Sequence, residues 1–192
     1  SHDHLDYHKT FKKYVESKTL LFTKVLNQNG TAIINSRLKN YKFIYSKIKS
    51  KNIKIITFGS KDVYFTQTKF LTLNVSDKKY YFKNLKLNII QKENLECAIA
   101  CALAINIKIN NIIKTLHKLK TPSGRFEEII YKKKSSKIIV DYAHTPDAMQ
   151  NVLKSYSKES FKPSLVFGCG GERDKSKRKK MSVIANKYAK KV

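Results

Sequence analysis

Ile138-Ile139-Val140-Asp141-Tyr142-Ala143-His144-Thr145-Pro146-Asp147 runs from an apolar, β-branched triplet through a polar turn into a proline. The triplet suits a pleated, half-buried surface, so a strand is expected over 137–142. Proline lacks an N–H but fits the first turn of a helix, so a helix is expected over 147–157, with Thr145 or Asp147 as its cap. The same order recurs downstream: Ser164 to Phe167 reads as a strand, Gly168-Cys169-Gly170-Gly171 as a turn, and 175–190 as a helix. A further strand is expected at 127–131. Such alternation implies an α/β fold with a parallel sheet. In open α/β sheets ligands bind at the carboxyl ends of strands, where an Asp such as Asp141 can accept hydrogen bonds from a ribose.

Working outward from this stretch, Thr121-Pro122-Ser123-Gly124 breaks the helical pattern and marks a domain boundary, giving domains 1–120 and 121–192. Before it, Glu93–Ile105, rich in Ala, and Asn110–Leu119 read as helices. Val63 to Phe82 alternates aromatic or β-branched residues with polar ones and reads as strands. Ile53–Phe58 is a strand ended by Gly59, Leu38–Ile48 a weaker helix, and Thr31–Ile34 a short buried strand. Phe11, Tyr14, Val15, Leu21, Phe22 and Val25 share one helical face at the start.

The 192 residues are 41% hydrophobic, enough for a real core. No apolar run approaches the roughly 18 residues needed to span a bilayer, and no signal peptide opens the chain. Ser1 is not an initiator Met, so the chain is expected to start inside a larger protein. The formal charge of +26 suggests nucleic acid at first sight. Nearly all of the excess is Lys, however, spread along the whole chain, with Arg only at 37, 125, 173 and 178. Nucleic-acid sites also use Arg for bidentate contacts, so a solvated lysine surface that helps attract phosphate-bearing substrates is the better reading. Cys97, Cys101 and Cys169, an odd count without secretory features, point to reduced thiols in a cytosol. Cys97 and Cys101, one turn apart among alanines, read as part of a close-packed helix.

Three constellations carry chemistry. Lys18 lies between Tyr14 and Phe22, in the middle of the apolar helical face, where a lysine is unusual; the bland alternative is a lysine that snorkels from the core's edge. Upstream, Ser1-His2-Asp3-His4-Leu5-Asp6-Tyr7-His8 offers metal-ligand types. Gly168-Cys169-Gly170-Gly171-Glu172-Arg173-Asp174-Lys175 allows a close backbone approach to an anion at a helix N-terminus, although the Gly-Lys-Ser/Thr ending of a P-loop is absent.

Taken in order, the His/Asp cluster, the Tyr14/Lys18/Leu21 helix, Thr-Ala-Ile-Ile-Asn at 31–35, Gly124-Arg125-Phe126-Glu127, Asp141 to Asp147 and Gly168 to Asp174 resemble the UDP-N-acetylmuramoyl-L-alanyl-D-glutamate ligases of the Mur family. The resemblance runs from Ser1 to Val192. It implies that 1–120 is the second half of a central ATPase domain and that 121–192 is the start of a Rossmann-like C-terminal domain. It also implies ATP and Mg2+ as cofactors, and UDP-N-acetylmuramoyl-dipeptide and a diamino acid as substrates. The implied chemistry converts a substrate carboxylate to an acyl phosphate, which an amine then attacks, in cytoplasmic peptidoglycan synthesis. His4 matches a magnesium ligand, and Lys18 a lysine that becomes a carbamate and supports magnesium. Asn94, Arg125, Asp141 and His144 match nucleotide contacts, and Arg173 a residue that pairs with a carboxylate of the incoming amino acid. Gly-Cys-Gly-Gly favours diaminopimelate over lysine. A monomer is expected, with no nucleic-acid or membrane partner. Because the family's phosphate loop would lie upstream, this chain alone is expected to be inactive. The rivals are another amide ligase of the superfamily, lysine-adding or folylpolyglutamate synthase-like, and, from another class, a basic nucleic-acid-binding module whose binding would fall steeply with salt.

Overall fold

The computed structural model describes residues 10–131, 136–157, 161–170 and 176–192. Lys12–Lys118 forms one compact unit, and Leu119–Val192 belongs to a second.

The first unit is a five-stranded mixed sheet in the order β1 (Thr31–Asn35), β2 (Lys54–Phe58), β3 (Val63–Gln67), β4 (Leu71–Val75), β5 (Lys78–Phe82). β1 and β2 pair in parallel over five residues, and β3 joins β2 in parallel only at Phe58 and Val63. β3, β4 and β5 form an antiparallel meander. The switch follows from the connections. The 18 residues between β1 and β2 hold helix α2 (Tyr41–Lys49) and so permit a parallel crossover, whereas three- and two-residue links permit only hairpins.

Both faces of the sheet are covered. On β1, Ala32 and Ile34 point to a core with Val15 of helix α1 (Phe11–Leu20) and with Ile44 and Ile48 of α2. Ile33, one residue out of phase, packs on the opposite core. There Phe58, Phe65, Leu71 and Leu73 meet Ile99 and Ala100 of α3 (Ile89–Ala104) and Ile112 and Leu116 of α4 (Ile109–Leu116). Full burial of one such Leu or Ile contributes about 1.5–3 kcal/mol.

α3 begins four residues before the sequence-based start at Glu93. Its first turn is closed by a capping box: Gln91 N–H donates to Asn88 Oδ1 (2.8 Å) and Asn88 N–H donates to Gln91 Oε1 (3.0 Å). The buried stripe of α3 is Glu96, Ile99 and Ala100. Cys97 is only half-buried and Cys101 is exposed, so the expectation of a close-packed cysteine face is corrected.

In the second unit β6 (Glu127–Tyr131) and β7 (Ser136–Val140) form an antiparallel hairpin. The parallel sheet expected for this half is therefore not seen among its described residues; the parallel strand ladder lies in the first unit. Four residues between β6 and β7 are too few for a crossover into a parallel ladder; the equally short β2–β3 link allows parallel pairing at one residue pair alone. The segment expected as strand 164–167 makes only a single parallel bridge, Ser164 to Lys191. Its Leu165 and Phe167 instead pack onto a core of Met149 and Leu153 from α5 (Pro146–Tyr156) and Met181 and Ala185 from α6 (Ser176–Tyr188).

Candidate functional site

The register of the β6–β7 hairpin sets Glu127 opposite Val140. Continued past the ladder, it sets Phe126 opposite Asp141 and Arg125 opposite Tyr142. The side chains follow that register. Phe126 N–H donates to Asp141 Oδ2 at 2.8 Å. The Arg125 guanidinium lies over the Tyr142 ring, 4.5 Å from its centroid.

The approach to this pairing is a strained turn. Gly124 has φ +67° and Phe126 φ +54°. Glycine adopts the left-handed region freely, but a non-glycine residue there costs about 1–3 kcal/mol. Three contacts offset that cost at Phe126. Its amide is bound by Asp141, its ring is 6% exposed, and the ring stacks on Tyr156 at 5.0 Å. The Glu127 carboxylate closes the turn by accepting from Gly124 N–H (2.7 Å) and Ser123 Oγ (3.0 Å), and these bonds lower its pKa. Burial, together with the Glu128 carboxylate that accepts its hydroxyl at 3.0 Å, raises the Tyr156 phenol well above its ordinary range.

On the β7 side the chain turns at once into α5. Thr145, buried, caps the helix by accepting from Ala148 N–H (3.3 Å), with Pro146 in the first turn. Of the two caps considered from sequence, Thr145 serves. His144 meets the Tyr142 ring edge-on at 5.0 Å, and its Nδ1 is 3.0 Å from Tyr142 O. Arg125, from β6's side of the hairpin, is thus brought to Asp141, Tyr142 and His144 at the carboxyl end of β7. The cluster offers a guanidinium lying against an aromatic ring and a carboxylate. A carboxylate has roughly four lone-pair sites, so the single bond from Phe126 leaves acceptor capacity for a ligand diol. These donors and acceptors fit a nucleoside bearing phosphates.

In the first unit Asn94 is an exposed residue of α3. Its neighbour Glu93 accepts a hydrogen bond from Asn35 Nδ2 at the carboxyl end of β1. Two residues beyond the end of β1, Arg37 forks onto Glu96: Nη1 to Oε2 is 2.7 Å and Nη2 to Oε1 is 3.1 Å. Phe65 N–H also donates to Glu96 Oε1 (2.7 Å), so a fully buried carboxylate ties β3, α3 and the turn after β1 together. The sequence reading did not single out this network. The available signals were an Arg in a lysine-rich chain, and a Glu inside the Ala-rich run of α3.

Lys18 is on α1, as expected, but it is exposed rather than central to the apolar face. The buried residues of α1 are Val15 and Thr19. After Leu20 the chain forms a π-turn over Leu21–Val25, closed by Leu26 N–H to Leu21 O at 2.8 Å. Phe22 and Leu26 pack inward with Val15 and Thr19, at ordinary helical spacing of four, three and four residues, while Phe11, Leu21 and Val25 face out. Lys18 is left at the stripe's edge, its Nζ 5.6 Å from the Tyr14 ring centroid. His4 and Arg173 lie outside the described residues. Among the described residues, no group of three or more His, Cys, Asp or Glu is placed to hold a metal ion, and no helix is long and apolar enough to cross a membrane.

Residues 1–115 match the model of the Mur ligase middle domain, and residues 124–192 that of the Mur ligase glutamate ligase domain. The chain is 37% identical over 200 residues to a UDP-N-acetylmuramoyl-L-alanyl-D-glutamate--2,6-diaminopimelate ligase of Rickettsia typhi, covering 98% of this chain and 40% of that protein. It is 39% identical over 197 residues to the ligase of the same name from Aquifex aeolicus, covering 98% and 39% respectively. A solved structure of a ligase of that name superimposes with a TM-score of 0.64 at 28% identity, over 98% of this chain and 40% of that one. MurF from Acinetobacter baumannii shares the fold, with a TM-score of 0.68 at 22% identity, over 80% of this chain and 34% of that one. The chain spans about two fifths of the length of the curated relatives it matches. Matched along both of its units, the chain belongs to the Mur ligase family.

Proposed function

We propose that the whole protein forms an amide bond at the expense of ATP, adding meso-diaminopimelate to UDP-N-acetylmuramoyl-L-alanyl-D-glutamate in the cytoplasmic assembly of peptidoglycan. The observation that carries this reading is the convergence of Arg125, Asp141 and His144 at the carboxyl end of β7, in a chain whose relatives carry that ligase name. Residues 1–120 are assigned to the central ATP-binding domain and 121–192 to the C-terminal domain.

ATP supplies the phosphoryl group that turns the substrate carboxylate into an acyl phosphate. The amine of the incoming amino acid then displaces phosphate. Positioning and charge stabilisation are the protein's main contributions to such a step. Asp141 accepts from the ribose hydroxyls through the oxygen not held by Phe126, Arg125 directs its guanidinium donors at the nucleotide, and His144 lies beside it. Asn94 contacts the nucleotide from α3, on a helix whose pitch is fixed by the Asn88–Gln91 capping box and by Asn35 on Glu93. Arg173 forks onto a carboxylate of the incoming diamino acid. Lys18, as a carbamate, and His4 are assigned to magnesium. Lys18 is exposed, so its assignment rests on the match of Tyr14, Lys18 and Leu21 to the family helix and not on burial. The protein is proposed to act as a monomer without nucleic acid.

The test uses the full-length protein with the UDP-linked dipeptide, ATP and Mg2+. A tripeptide product is expected with diaminopimelate, and much less with lysine. Preference for lysine would correct the substrate, and no product with either amino acid would overturn the reading.

A further inference from the structure

We propose that Tyr142 is a positioning residue for the nucleotide: its ring holds the Arg125 guanidinium flat, so that the donors of Arg125 meet the ligand in one fixed plane. The proposal rests on the reading of Arg125 as a nucleotide contact, and goes beyond it by assigning a residue that needs no contact with the ligand itself.

Tyr142 does not behave as a core aromatic. Its ring is 60% exposed, and burial does not account for its place in the fold. What the ring does touch is informative. The Arg125 carbon that joins the guanidinium nitrogens lies 4.5 Å from the ring centroid, well inside the range of a cation–π contact. It is also shorter than any of the lysine–aromatic approaches among the described residues, which run from 5.2 Å to 6.0 Å. His144 braces the same ring edge-on at 5.0 Å, and its Nδ1 lies 3.0 Å from the Tyr142 carbonyl.

Ring and guanidinium meet because the hairpin register places them opposite one another. That register is secured one step away by Asp141 on the Phe126 amide. An exposed arginine otherwise samples many rotamers, and ordering it on ligand binding is costly. Stacking removes much of that freedom before the ligand arrives, which is how preorganisation raises affinity. A planar, weakly hydrated guanidinium stacks well on an aromatic face and still directs its edge donors outward. Arg125 therefore lies on the Tyr142 face while His144 braces the ring edge-on, and only the edge of the arginine needs to touch phosphate or base.

The experiment uses the full-length ligase and measures KM for ATP and kcat separately, with circular dichroism and a melting curve to verify folding. Tyr142→Ala is expected to raise KM for ATP by about two- to fivefold, the range of a cation–π contact at an exposed site, with kcat within about twofold. Tyr142→Phe, which keeps the ring face, is expected to restore the wild-type KM. Tyr142→Leu, which keeps bulk but no π-face, is expected to behave as Tyr142→Ala and stands in should the alanine variant fold poorly. In an Arg125→Ala background, Tyr142→Ala is expected to add nothing further. Additive effects would overturn the proposal, since the tyrosine would then act on the nucleotide directly. A Tyr142→Phe variant as impaired as Tyr142→Ala would also overturn it, by pointing to the hydroxyl. A raised KM in Arg125→Ala with an unchanged KM in Tyr142→Ala refutes this proposal alone. An unchanged KM in Arg125→Ala refutes the nucleotide reading beneath it as well.

Discussion

Replacing Arg37 by Met removes two of the three hydrogen bonds that hold the fully buried Glu96 carboxylate, leaving only the Phe65 amide. Breaking one partner of a buried ion pair typically costs 3–5 kcal/mol, because the remaining charge is stranded. The Arg37 side chain is 44% exposed and water reaches part of the pair, so the lower end applies, about 3 kcal/mol. The assay is amide hydrogen exchange at Phe65, the donor to Glu96. At about 1.4 kcal/mol per decade, opening should become roughly a hundredfold more frequent. Arg37→Lys keeps the charge but not the fork and should fall between the two. Arg37→Met combined with Glu96→Leu should recover much of the loss, since an apolar pair can replace a buried ion pair at little cost. What remains is the stranded Phe65 N–H, about 1–3 kcal/mol. If Arg37→Met stays within about 0.5 kcal/mol of the parent, the range of an ordinary surface change, the claim that this fork holds α3 to the sheet is wrong.

Thr145→Ala removes the cap of α5 and should destabilise the second unit by about 1 kcal/mol, read as a lowered urea midpoint with unchanged slope. The Ser123–Gly124–Glu127 turn should loosen in acid. Its carboxylate has a folded pKa below the ordinary 4.5, so its contribution is full above 4.5 and is lost as pH falls through the folded value. The Gly124 amide shift in an NMR titration should follow that loss, and Glu127→Gln should abolish the step. In the full-length ligase, Lys18→Ala should remove most turnover and Lys18→Arg should not restore it, because guanidinium cannot become an anion; near-normal rates in Lys18→Arg would return Lys18 to a surface cation.

Local signals read best where they were strongest. The β7-to-α5 junction was legible because β-branched residues, a cap and a proline occur in succession, and the structure places Asp141 and His144 there. The convergence of Arg125 on Tyr142 was not legible, because it depends on a hairpin register that only the paired strands define. The antiparallel sense of β6 and β7 was within reach, since their short connection forbids a crossover. The early start of α3 was also within reach, from Asn88 and Gln91 at capping-box spacing. Lys18 was misplaced for a different reason. The wheel centred the buried face on Phe11, Tyr14, Leu21 and Val25, whereas the core takes Val15, Thr19, Phe22 and Leu26 and leaves Phe11, Leu21 and Val25 exposed. The Arg37–Glu96 pair joins residues 59 apart, a separation at which no periodicity speaks.

The most direct test of the central claim follows one atom in the full-length protein. The substrate dipeptide is prepared with oxygen-18 in the glutamate side-chain carboxylate, and the phosphate released during ligation is analysed by mass spectrometry. If that carboxylate is activated as an acyl phosphate, one of its oxygens leaves with the phosphoryl group when the amine attacks. Each turnover should then yield phosphate carrying a single heavy oxygen. Amide product accompanied by unlabelled phosphate would contradict the account.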